Sequence, residues 1–550
     1  MLLQKIRDFF LSVKKDPNGK NARFLFIILF SILFLTTRLP RLANDVINPD
    51  GVLWHGRSEQ FIVGIKHNQL EKTYQHYQPG VTLMWIAGVS VELYKQISGV
   101  TVYTSDTFIT FDFVAKSALV LSQLVLSILI ILNLSKIVGF IKSLLIVSVF
   151  TFEPFFLGGS RILHLDVLSS LLMFLALIFS YLNLKKPSNV KSIFIGLFLA
   201  LSFLTKSICI GALLYIIFYS IFYFLLTKQN KNKFTTVLVI FISFIAFTFL
   251  LFPALWKDPN YYLFDMIFGE AERVGMREGH SQILLGQKKM DGGLLFYPTE
   301  ILMKVSPFIV IGNLVYLIFI ISKIRNIKPL IKNFKNELLN LDLYLVIFYL
   351  GYIVFMTVAS KKIDRYILVI FPLFSYLSIC GYEKLLNFYK SKNIHKFIFK
   401  SIIGAFILFV VIPIFRIFPW YFTYVSPIFI STSRANSIIG QKSFGVGVPD
   451  LKKVIEAKYI PIYGKEPSLG FYDTQPIRAI YPNSKIYDVR VYGPGSYDLL
   501  VLTINEDMPE KVVESDEYNF KKDHSIWING LEYWRIYVKE DLRGSDDTKE

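Results

Sequence analysis

The sequence predicts an all-α polytopic membrane protein with about eleven transmembrane helices, followed by a small C-terminal extracytoplasmic α/β domain. Three observations predict it. The 550 residues are 53% hydrophobic and 16% aromatic, with a mean hydropathy of +0.48. Apolar runs of about 18 residues, the length that crosses a hydrocarbon core, recur through residues 24–418. Beyond Pro419 such runs stop. The division is therefore an N-terminal segment 1–23, a membrane domain 24–419 and a soluble domain 420–550.

The spans read as 24–40, 112–134, 140–157, 166–184, 190–205, 207–227, 234–255, 300–322, 341–359, 366–382 and 398–418. The first is read as a retained helix, because Arg38-Leu39-Pro40-Arg41 follows it and not a small-residue cleavage site. Only Lys206 divides 190–227, and charge placement favours two spans there. With the N-terminus inside, segments 1–24, 135–143, 185–191, 228–233, 323–335 and 384–400 hold 24 lysines and arginines in 76 residues. Loop 40–110, outside, holds five. Cytoplasmic loops attract Lys and Arg, so the expectation is a multi-pass cell-membrane protein with a cytoplasmic N-terminus and the C-terminal domain outside. Much of the +18 net charge is then topology, and no nucleic-acid partner is implied. Cys209 and Cys380 lie in apolar runs and suggest neither a disulfide framework nor a cysteine metal site.

Two external loops are large. In 41–111, stretches 50–67 and 80–97 read as amphipathic helices along the membrane surface, with Trp54 and Trp85 at headgroup level. Loop 256–299 opens with Trp256-Lys257-Asp258-Pro259 and carries glycines at 269, 275, 279, 286, 292 and 293, so it is expected to be mobile. In the C-terminal domain, Leu499–Ile504 reads as a buried strand. Ser525–Ile528, Asn529-Gly530 and Leu531–Val538 read as a hairpin with a two-residue turn. The charged end, Leu542–Glu550, reads as frayed.

Polar residues gather on the predicted outer face. Asp50 follows the first span within Pro49-Asp50-Gly51. That is a common turn signal, but a carboxylate at the membrane surface, ahead of Arg57 and Glu59, also suits a general base on an acceptor hydroxyl. Asp166 heads the fourth span, just after Arg161 and His164. Ionisable groups at membrane depth are costly and mark function, although an acid at a helix N-terminus also favours the dipole. His76-Tyr77-Gln78-Pro79-Gly80 opens the second surface helix. Helix entry explains Pro79 and Gly80, which leaves His76 and Gln78, with Trp54, as acceptor-side candidates.

Lys206, Lys304 and Lys361-Lys362-Ile363-Asp364-Arg365-Tyr366 fall outside, against the positive-inside tendency. They bind an anion or snorkel to headgroups. Both readings stand for Lys361 and Lys362; Arg365, beside Tyr366, reads as a phosphate ligand. There is no G-x-x-x-x-G-K-[ST] and no H-E-x-x-H. No cofactor is expected, and a divalent metal is left open. A sugar donor carried on a lipid phosphate fits, since it arrives through the membrane and needs no nucleotide fold.

At these residues the chain resembles a GT-C glycosyltransferase, the polytopic class using polyprenyl-phosphate sugars. It is most similar to the branch of protein O-mannosyltransferases and the lipid A aminoarabinose transferase. The resemblance spans most of 24–425. It rests on Asp50-Gly51, Gln78-Pro79-Gly80, Ser160-Arg161-Ile162-Leu163-His164-Leu165-Asp166, Leu204-Thr205-Lys206, Phe252-Pro253-Ala254-Leu255-Trp256, Phe296-Tyr297-Pro298 with Lys304, and Lys362-Ile363-Asp364-Arg365-Tyr366-Ile367-Leu368. It implies an enzyme transferring a hexose, mannose by analogy, with inversion, from a polyprenyl-phosphate donor to a protein, lipid or glycan acceptor. Asp50 and Asp166 are the implied catalytic acids. Arg57, Arg161, His164, Lys206, Tyr297, Lys304, Arg365 and Tyr366 are the implied donor-side set. The chain departs from the pattern in three places. Gly51 stands where the mannosyltransferases have a second acid, and Tyr77-Gln78 where the aminoarabinose transferase has Glu-Lys. Loop 256–299 is too short for a β-trefoil. The rival reading is a transporter or flippase of lipid-linked sugars, which calls for inverted repeats and helices broken near mid-membrane. Here the polar residues collect at one face.

Overall fold

The computed structural model describes residues 16, 19–227, 231–269, 272, 282–324, 337–392, 394–429, 431–515 and 517–539. Residues 1–15, the loop glycines 275 and 279, most of 323–335 and the charged end 542–550 lie outside the described residues.

All eleven apolar runs are helical, but they are not eleven full spans. Among the described residues, eight helices are long and apolar enough to cross a membrane, or nine if one bent pair counts as a single span. The helices that build the site are α1 (Lys20–Arg38), α2 (Pro49–Lys66), α3 (Val81–Ser98), α4 (Phe108–Val138), α5 (Phe140–Phe152), α6 (Pro154–Arg161), α7 (Asp166–Lys185), α8 (Asn189–Thr205), α9 (Ile210–Leu226), α10 (Lys231–Leu251), α11 (Phe296–Lys304), α12 (Pro307–Ile324), α13 (Leu341–Val358) and α14 (Phe371–Phe388). The expected span 140–157 is cut at Glu153-Pro154, where proline ends one helix and starts the next. The expected span 300–322 is bent by 118° between α11 and α12. One buried side chain serves both breaks: Glu153 accepts from the N–H of Phe156 at 2.9 Å and of Ser306 at 3.2 Å. The 190–227 run divides where the sequence reading placed it, with Lys206 extended between α8 and the turn leading into α9.

Helix α7 is enclosed, with 89% of its span buried inside the protein, so its N-terminal Asp166 sits deep under the outer loops. Helices α2 and α3 form as expected and pack on each other. Trp54 departs from the surface reading: only 2% of it is exposed. Gly80, at φ +59°, lies against its ring, where a Cβ would stand 2.2 Å from ring carbons. Trp54 is thus packed against Gly80 and is no headgroup anchor.

The C-terminal region carries a five-stranded sheet in the order β4-β3-β5-β7-β6. Its strands are β3 (Leu469–Phe471), β4 (Ile486–Asp488), β5 (Leu499–Thr503), β6 (Phe520–Ile528) and β7 (Leu531–Lys539), after a hairpin of β1 (Gln282–Leu284) and β2 (Gln287–Lys289). Strands β3, β4 and β5 run parallel; β5, β7 and β6 run antiparallel. The expected buried strand is β5, buried at every position. The expected hairpin is β6–β7, turning on Asn529 and Gly530, both at positive φ. The hairpin β1–β2 lies in the loop expected to be mobile, and Leu284 bridges to Ile439.

Candidate active site

A half-exposed acid, Asp50, and a buried one, Asp166, are joined by one histidine and one arginine. Asn48 stands at the N-cap position of α2 and Pro49 takes its first position, which puts Asp50 in the first turn, favoured by the helix dipole. Asp166 holds the same place on α7. His164 lies between them, with Nε2 at 3.3 Å from Asp50 Oδ2 and Nδ1 at 2.9 Å from Asp166 Oδ2. Arg365 donates from Nη2 to Asp50 Oδ2 at 2.8 Å, while its Nε stands 3.4 Å from Asp166 Oδ2. Lys206 closes the network, donating to Asp166 Oδ1 at 2.8 Å, with its ammonium 4.0 Å from the Tyr366 ring centre. Burial alone would raise the Asp50 carboxyl. Arg365 and His164 outweigh it and hold Asp50 well below the usual carboxylate range.

A cavity of about 930 Å³ opens above this network. Its helix-side wall holds Asp50, Trp54, Arg57, His76, Gln78, His164, Arg365 and Tyr366. These come from four places in the sequence that were expected to share one face. The Arg57 guanidinium stacks 4.5 Å from the Trp54 ring, and the His76 ring meets Trp54 edge-on. The opposite wall belongs to the C-terminal region: Gln441, Lys442, Ser443, Phe444, Tyr472, Asp473, Arg490 and residues 503–507.

Four expected donor-side residues do not line the cavity. Arg161 is fully buried, donating through Nε to Asp45 at 2.8 Å and through its other nitrogens to the carbonyls of Thr37, Arg38 and Pro40. Its reading as a phosphate ligand is corrected: it ties α6 to the end of α1. Lys304 is buried and donates to Gln441 Oε1 at 3.0 Å, behind the cavity wall. Tyr297 is buried on α11 and does not line the cavity. Lys206 also lies beneath the wall and reaches the site through Asp166. Among the described residues, no group of three His, Cys, Asp or Glu side chains is placed to hold a metal ion.

No family model matches the sequence, and no curated protein matches it. Solved structures of similar architecture do exist. ArnT from Cupriavidus metallidurans, bound to undecaprenyl phosphate, aligns at 14% identity and TM-score 0.46, covering 94% of this chain and 98% of that one. The Archaeoglobus fulgidus oligosaccharyltransferase in its apo form aligns at 11% identity and TM-score 0.48, covering 88% and 70%. The Saccharomyces cerevisiae Pmt1–Pmt2 O-mannosyltransferase complex, bound to the sugar donor, aligns at 15% identity and TM-score 0.34, covering 48% and 38%. Similarity at this level assigns no chemistry.

The sequence reading missed the sheet-side wall. Its clearest local signal is Gly440-Gln441-Lys442-Ser443-Phe444-Gly445-Val446-Gly447, where Phe444, Gly445 and Gly447 all adopt positive φ. This loop binds the strand-like segment before Asp50. Ile47 N–H donates to Gly445 O at 3.0 Å, and Gly447 N–H donates to Asp45 O at 2.7 Å. Phe444 in turn stacks beneath Arg365, whose guanidinium is 4.8 Å from the ring centre. Burial depresses the Lys442 ammonium, against the pull of Asp364 and with repulsion from Arg365.

Proposed function

We propose that this protein is a membrane glycosyltransferase. In this reading it moves a hexose from a polyprenyl-phosphate donor to a hydroxyl of a protein, lipid or glycan acceptor on the outer face, with inversion. The observation that carries the proposal is the Asp50–His164–Asp166–Arg365 network facing a large cavity above apolar helices. A lipid-borne donor reaches such a site from the bilayer, and a polar acceptor reaches it from water. The acceptor oxygen attacks the anomeric carbon while the bond to the lipid phosphate breaks. Arg365, with Arg57 on the same cavity wall, offsets the charge that grows on the departing phosphate. Asp50 meets the acceptor hydroxyl. Asp166, Lys206 and His164 hold Asp50 and Arg365 in register from below. Removing one preorganised charge of this kind costs about 10²–10³ in rate. No metal is invoked, because the cations already in contact with Asp50 and Asp166 supply the positive charge.

The test is transfer from a panel of radiolabelled undecaprenyl-phosphate hexoses in membranes holding the protein. Label entering a membrane or protein acceptor, with inverted anomeric configuration, supports the reading. No transfer from any donor by folded protein returns the weight to a transporter of lipid-linked sugars.

A further inference from the structure

The three parallel strands of the C-terminal sheet all end at the cavity. Tyr472 and Asp473 follow β3, Arg490 follows β4, and residues 504–507 follow β5. In the sheet order β4-β3-β5, the chain leaves β3 toward β4 on one side, whereas β5 borders β7 on the other. Connections that diverge from adjacent parallel strands leave a crevice at their carboxyl ends, and ligands bind there. In this protein the crevice faces Asp50. The short helix Gln475–Arg478, just after Asp473, packs on α2.

We propose that Asp473 is the acceptor-side general base of the transfer. The inference rests on the glycosyltransferase reading and deepens it. Asp50 already accepts a charge-assisted hydrogen bond from Arg365 and has His164 at 3.3 Å. A carboxylate so satisfied orients a hydroxyl well and takes a proton poorly. Asp473 differs: it accepts only weakly, from its own turn through Gln475 N–H at 3.4 Å, and it forms no ion pair among the described residues. Burial raises its carboxyl, and the charge of Asp50 across the cavity adds to this. The charged groups facing it are Asp50 from α2, Asp488 and Arg490 from the end of β4, and Glu506 from the end of β5. Two carboxylates driven apart in basicity divide the orienting and proton-accepting roles. In the step, the acceptor O–H proton passes to Asp473 as oxygen bonds the anomeric carbon. The electron pair of the breaking glycosyl–phosphate bond leaves with the phosphate.

The experiment compares wild type, Asp473→Asn and Asp473→Glu in membranes, with undecaprenyl-phosphate hexoses as donors, from pH 4 to 9. A base must be ionised, so wild-type turnover falls as pH drops through the raised Asp473 value, whereas Asp50 stays ionised throughout. Asp473→Asn is expected to lose about 10²–10⁴ in turnover, to lose that acid limb, and to keep the wild-type half-saturation for donor. Asp473→Glu is expected to recover part of the rate with the limb present. Wild-type turnover and an unchanged acid limb in Asp473→Asn would overturn the assignment while leaving the enzyme class intact. Absence of transfer by wild type with every donor would overturn both.

Discussion

At Asp50, an arginine and a histidine converge on one carboxylate oxygen. An acid held this far below its usual range stays charged at any working pH, so its removal cannot be mimicked by acidification. A different outcome is expected at Arg161, whose partner Asp45 is also fully buried. Replacing Arg161 by leucine strands a buried carboxylate, at a cost of about 3–5 kcal/mol. The expected readout is a sharply lower melting temperature in detergent, with little folded protein recovered; an unchanged melting temperature contradicts the structural role. The sequence singles out both acids, His164 and Arg365, because charge at membrane depth needs a reason. It could not separate Arg365, which lines the cavity, from Arg161, which does not. Both sit in apolar surroundings, and only the path of the chain decides which one meets Asp45.

Among the elements, the loop 440–447 couples the sheet to the acid-bearing helix. Gly445 stands at φ +71°, and a Cβ there would lie 1.7 Å from Ile47 O. Gly445→Ala therefore either strains the backbone by about 1–3 kcal/mol or pushes the loop off residues 45–48. The expected result is reduced turnover with a modest drop in melting temperature, both measurable on detergent-purified protein. Wild-type values for both would show that the loop is a bystander. Helix positions were readable from apolar runs, and the β6–β7 hairpin from Asn529-Gly530. The breaks at Glu153-Pro154 and Ser306-Pro307 were readable only as prolines. That one glutamate caps both is a tertiary fact with no local signal. The hairpin β1–β2 was hidden for a similar reason: its pairing with the C-terminal region, through Leu284 and Ile439, is long-range.

For the whole molecule, the topology expected from charge placement puts the cavity and its sheet-side roof on one face of the membrane, opposite the Lys- and Arg-rich loops. Cys209 and Cys380 are buried, so introduced cysteines report cleanly. A membrane-impermeant maleimide added to intact cells is expected to label Trp527→Cys in the exposed sheet and to spare Lys20→Cys until the cells are opened. The reverse pattern inverts the topology. The overall division into apolar bundle and C-terminal sheet was legible in composition, whereas the cavity was not. It forms only where residues far apart in sequence, from Asp50 to Asp507, come together. The most direct test of the central claim is transfer from radiolabelled undecaprenyl-phosphate hexoses by wild type and Asp50→Asn, at matched folded protein and saturating donor. Robust wild-type transfer is expected, with a loss of more than about 10²–10³ in the variant. Near-normal transfer by Asp50→Asn would contradict it.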